Sequence, residues 1–227
     1  QNSIMSTWLE GNPYRIKLDG AFDYGNPPYM YAESAAIGLE YSFLQKVFNN
    51  MGYQIGDVYR APISSREDVL KRDANLDFNS GITNKSEGPR YYSVPALELE
   101  YIAVSIRARE LNLNDFTNND SLRVGSIIQD GASPSRKAFS AFIAKIKPKR
   151  TADFQSLKEA FAALSNNSVD AVIVEKRVLD WYLEHESELD RSAIQIHRDF
   201  SESYPVFIEW RDPTLRDKFN ASLEQLY

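Results

Sequence analysis

Residues 16–31, IKLDGAFDYGNPPYMY, with 38–53, GLEYSFLQKVFNNMGY, and 76–95, LDFNSGITNKSEGPRYYSVP, decide the fold of this chain. The first run reads as a strand delivered into an Asn26-Pro27-Pro28-Tyr29 turn that aims an aromatic outward. In the second, Leu39, Phe43, Leu44, Val47, Phe48 and Met51 share one helical stripe that closes on Gly52, a favoured helix-ending residue. The third reads as a strand ending in polar residues and a cationic turn.

Working outward, strand and helix patterns keep alternating. Strands are expected over 14–20, 55–59, 76–81, 99–107, 122–128 and 169–174. Helices are expected over 64–72, with Ser64 or Ser65 as cap, from Ser133 to about Lys145, and along Phe154, Leu157, Phe161 and Leu164. Asn166-Asn167-Ser168 breaks the last of these and delivers the chain into a strand. Near the C-terminus, YPVFIEWRDP from Tyr204 reads as a strand followed by a helix from Thr214. Strands separated by single helices imply mostly parallel sheets with helices on their faces, an α/β chain. Two such units, with the long strand at 99–107 between them, suggest two lobes.

Composition narrows the function. The 227 residues are 43% hydrophobic and 26% charged, enough for a sizeable core in one large domain or two lobes. A net charge of -6 argues against nucleic acid, and the basic run 145–150, KIKPKR, is short enough to be a solvated face. With no cysteine, disulfides, thiol nucleophiles and Cys-ligated metals are excluded. No apolar run approaches the roughly 18 residues of a membrane span, and no signal-peptide core is visible. Gly-rich phosphate loops, His-Glu-x-x-His and nucleophile elbows are missing as well, so no enzyme, cofactor or metal site is expected. His185 and His197 make no metal pair and are expected to be solvated or locally hydrogen-bonded.

With these parts in this order, the chain resembles the periplasmic solute-binding proteins of the amino-acid-binding type. A second set of parts, GSIIQDGASPSRKAF at 125–139 and ALSNNSVDAVIVEKRVL at 163–179, extends the resemblance over most of the chain. It implies a two-lobed, type II periplasmic-binding-protein-like fold, each lobe a mixed, mostly parallel sheet flanked by helices. Lobe 1 would hold residues 1–98 and 203–227, lobe 2 residues 99–202, with crossings near 98–102 and 199–204. It also implies a monomer in the periplasm or another extracytoplasmic space, whose lobes close on a small polar solute and present it to the membrane subunits of an ABC transporter.

A zwitterion leaving water needs a cation, an acid and oriented N–H groups in exchange for its hydration. In the family, an Arg after the polar strand end clamps the ligand carboxylate, a bidentate role that Lys does not reproduce. Anchored on Ile82-Thr83-Asn84-Lys85, that place falls on Ser86; counted from Asp77 it falls on Pro89, beside Arg90, which is the candidate. Gly131-Ala132-Ser133-Pro134 resembles the family's helix-start turn, where Ser133 would cap a helix whose free N–H groups favour an anion. Glu175, directly after the Val-Asp-Ala-Val-Ile strand, takes the place of the acid that meets a ligand amino group. Asp23 stands where members that bind basic side chains carry an acid, and Tyr24 or Tyr29 could stack on the ligand. Asn79, Ser80, Gly81 and Thr83 supply the polar strand end. Asp170, on the other face of its strand, is expected to be structural. The same module also serves as the ligand-sensing domain of membrane receptors, and the fold carries some enzymes.

Overall fold

The structure is a computed structural model that describes residues 15–31, 38–116, 121–127 and 134–227. In chain order, strand β1 (Ile16–Phe22) leads to helix α1 (Leu39–Met51), strand β2 (Tyr53–Arg60) and a 3-10 turn, Ile63–Arg66. Helix α2 (Val69–Arg72), β3 (Phe78–Ile82), β4 (Tyr91–Tyr92) and β5 (Leu97–Ile106) come next. Beyond them lie β6 (Arg123–Ile127), α3 (Pro134–Ile146), β7 (Arg150–Phe154), α4 (Leu157–Ser165), β8 (Ala171–Glu175) and α5 (Lys176–His185). The long strand β9 (Ile194–Trp210) and α6 (Pro213–Leu226) end the chain.

The chain divides into two compact units, one of Gln1–Leu97 with Pro205–Tyr227, the other of Glu98–Tyr204. In the first, β1 lies between β2 and β3, parallel to both, while the C-terminal part of β9 runs antiparallel to β3 and β4. The apolar stripe of α1 buries Leu44, Val47 and Phe48 against Leu18, Phe22, Phe78, Trp210 and Phe219. Phe48 meets Phe78 edge-on at 5.1 Å between ring centroids, the preferred arrangement for an aromatic pair. Gly52 ends α1 at φ 92°, where a Cβ would be strained, and its N–H caps the carbonyls of Phe48 and Asn49.

In the second unit, β8 runs parallel to β6 and antiparallel to β5, β7 is parallel to β6, and β5 lies between β8 and β9. Every residue of β8 is buried. Val172 and Val174 join a core with α4 and α5, whereas Ala171 and Ile173 join one with α3, so both faces of the strand are covered.

Three expectations are corrected. The helix expected over 64–72 is a 3-10 turn and a separate α2, broken at Asp68, whose φ of 53° is left-handed. Arg66, in the 3-10 turn before that break, is buried. Phe154 ends a strand, not a helix: β7 is charged and mostly exposed, which hid its alternation. Tyr29 does not point outward but is buried, at 4% exposure, beside Met30.

Candidate functional site

In open α/β sheets, the carboxyl ends of parallel strands are where the chain leaves the sheet and where side chains from several loops converge. In the first unit, β1 and β3 end together, and a polar cluster is built on their ends. Arg66, 2% exposed, donates from Nε to the Ala61 carbonyl at 2.8 Å. Its Nη1 donates to Asn79 Oδ1 at 2.8 Å and to the Ser80 carbonyl at 2.6 Å. Those contacts hold the 3-10 turn against β3, because an unpaired buried guanidinium would be far more costly than the folding of the turn.

Opposite Arg66, the first turn of α1 brings in Glu40, which is buried and accepts the Ser80 hydroxyl. Burial pushes its carboxyl pKa up, against the opposing pull of Ser80 and of the Arg66 charge. Burial likewise pushes the Arg66 guanidinium down, offset in part by Glu40 and Asp23. Asp23, half-buried one residue past β1, is thus close enough to be felt by both. Gly81 completes the cluster. Its φ is +73°, and a Cβ built on it would stand 3.4 Å from Glu40 Oε1 and 3.7 Å from Arg66 Nη2. Glycine accepts that left-handed backbone without strain and leaves no side chain in contact with these two groups.

Of the expected site residues, Asp23, Asn79, Ser80 and Gly81 meet in this cluster, and Thr83 is half-buried one residue past β3. Tyr24 is exposed beside Asp23, while Tyr29 belongs to the core. Arg90 is engaged elsewhere: its Nη2 binds Asp68 and its Nη1 meets Glu209 at 3.1 Å. Both carboxylates push its pKa up, the Asp68 hydrogen bond most. Glu209 faces Asn79 across β9 and β3. In the second unit, Glu175 caps α5, accepting from the Val178 N–H at 3.0 Å. Ser133 lies outside the described residues, so the helix-start turn at 131–133 does too. Asp170 is tied to Arg109 at 2.7 Å and to Arg123 at 3.1 Å, a structural knot.

Sequence reasoning missed Glu40 and Arg66. Glu40 left a trace, since with Leu44 and Val47 it occupies the buried face of α1 at helical spacing, where a carboxylate is out of place. Arg66 left none, standing in the polar run Ser64-Ser65-Arg66-Glu67-Asp68.

No protein-family model matches the chain, and no curated protein sequence does. Solved structures do. One is an ABC uptake transporter substrate-binding protein of Streptococcus pneumoniae with bound histidine, 17% identical, matched over 98% of this chain and 90% of that one with a TM-score of 0.65. Another is the arginine-, lysine-, histidine-binding protein ArtJ of Geobacillus stearothermophilus, 18% identical over 92% and 89%, with a TM-score of 0.60. The fold is that of a type II periplasmic binding protein. A third structure of this fold is the ancestral amino-acid-binding protein AncCDT-1, a precursor of cyclohexadienyl dehydratase, 16% identical over 99% and 92% with a TM-score of 0.65. Among the described residues, no helix is long and apolar enough to cross a membrane.

Proposed function

We propose that this chain is an extracytoplasmic receptor that binds a small polar solute, an amino acid or related compound, and delivers it to an ABC transporter. The observation that carries this reading is the cluster of buried Glu40, Arg66 and Ser80 with half-buried Asp23 and Gly81 at the carboxyl ends of β1 and β3. A core that needed only stability would have filled this place with apolar side chains, since a buried charged pair gains little over them. Groups of both signs around an opening kept clear by glycine suit a ligand that itself carries both. The fold relatives include a substrate-binding protein with bound histidine and an arginine-, lysine-, histidine-binding protein.

A thermal-shift screen of amino acids, amines and small carboxylates tests the proposal. A ligand held only by the folded protein at one hundred times its Kd adds about 2.7 kcal/mol of stability. A narrow group of zwitterions should raise the melting temperature, and calorimetry should give one site. No response to any of them at millimolar concentration would remove the reading. The AncCDT-1 likeness supports an enzyme as the second reading, and mass spectrometry of each hit after incubation would detect its product.

A further inference from the structure

We infer that Arg66, not Arg90, is the cation that meets the anionic group of the ligand, a carboxylate, at the carboxyl end of β3. This rests on the solute-binding reading above. The guanidinium of Arg66 is half used: Nε and Nη1 are spent on Ala61, Asn79 and Ser80. Among the described residues, no hydrogen bond reaches Nη2, and Nη2 is not among the nitrogens sealed in the interior without a partner. The same atom borders the space that Gly81 leaves open. A guanidinium locked on one side and open on the other is preorganised: it needs no rotamer ordering to receive an oxygen, and its charge acts in a desolvated setting. Glu40, whose Oε1 borders the same space, is placed for a ligand donor such as an ammonium. Arg90, in contrast, would have to give up two carboxylates to reach a ligand.

The test uses pairs of probes that differ by one carboxylate: L-arginine with agmatine and L-histidine with histamine, by calorimetry. Wild-type protein should bind at least one amino acid about thirtyfold or more tightly than its amine, because losing one partner of a desolvated charge pair carries that penalty. Arg66→Lys keeps the charge but not the fork and should erase most of that preference by weakening the amino acid, leaving the amine where it was. Arg90→Met should keep the preference. A preference lost in Arg90→Met and kept in Arg66→Lys would overturn the inference while leaving solute binding intact. Failure of wild-type protein to bind either member of both pairs, or any zwitterion of the wider screen, would overturn both. Should Arg66→Lys not fold, the guanidinium resonances of Arg66 in wild-type protein, assigned through its backbone, give the same answer. They should shift with the amino acid and stay with the amine, and an unmoved signal at saturation refutes the assignment.

Discussion

Replacing Arg90 by methionine removes a cation from between two carboxylates while keeping the aliphatic stem. The Arg90 and Glu209 side chains are only 12% and 7% exposed, so Glu209 would be left with its charge in a poorly solvated place. Asp68, at 42% exposure, can turn to water and adds little. Breaking a buried pair from one side costs about 3–5 kcal/mol, and the residual exposure puts Arg90→Met near the lower figure, about 3 kcal/mol. For a chain of this size that is a fall in Tm of about 6–12 °C. Glu209→Gln in the same background should restore about half or more of the loss, because the orphaned charge is gone, and the double-mutant cycle reads the coupling directly. Differential scanning calorimetry of the wild type, both single variants and the double variant provides the four values. A Tm within about 2 °C of wild type for Arg90→Met, together with a tenfold or greater loss of ligand affinity, would refute this account. Arg90 would then be a ligand clamp and not a structural tie.

Three further outcomes are expected. His197 is buried with Nε2 2.7 Å from Ser105 Oγ, and burial lowers its pKa below the usual 6.5, so the fold prefers the neutral ring. The unfolded chain therefore binds the extra proton first, stability should fall as pH drops through about 6.5 and level off below the folded pKa, and urea melts of His197→Gln should lack that step. Asp170 is buried, yet the hydrogen bonds of Arg123 and the Arg109 contact outweigh burial and hold its carboxyl below the usual range. Asp170→Asn should cost about 2 kcal/mol at pH 7 in urea unfolding, a difference that shrinks as pH falls below about 4. The Phe78 ring lies against Gly20, where a Cβ would stand 2.1 Å from its Cζ. Gly20→Ala should lower stability by about 1–3 kcal/mol and disturb the near-ultraviolet circular dichroism of the aromatic core around Phe78.

Much of the architecture was written locally. The stripe Leu44, Val47 and Phe48 ending on Gly52 dictates α1, because its period and its left-handed terminator are properties of one continuous stretch, Leu39 to Gly52. The unbroken apolar run of β8 likewise called for a strand covered on both faces. Asn79, Ser80, Gly81 and Thr83 were legible as a polar strand end, and Asp23 through the resemblance, counted back from Pro27-Pro28-Tyr29. What tertiary structure alone decided is which charges meet. Arg90 reaches Glu209 across 119 residues, and Arg66 reaches Asn79 and Ser80 because the turn that follows β2 folds against β3. A long flexible side chain takes its direction from whatever desolvated partner lies within reach, and partners distant in sequence leave no periodic mark on it. Composition and spacing therefore select the fold, while the roles of Glu40, Arg66 and Arg90 are set by the packing of the folded unit.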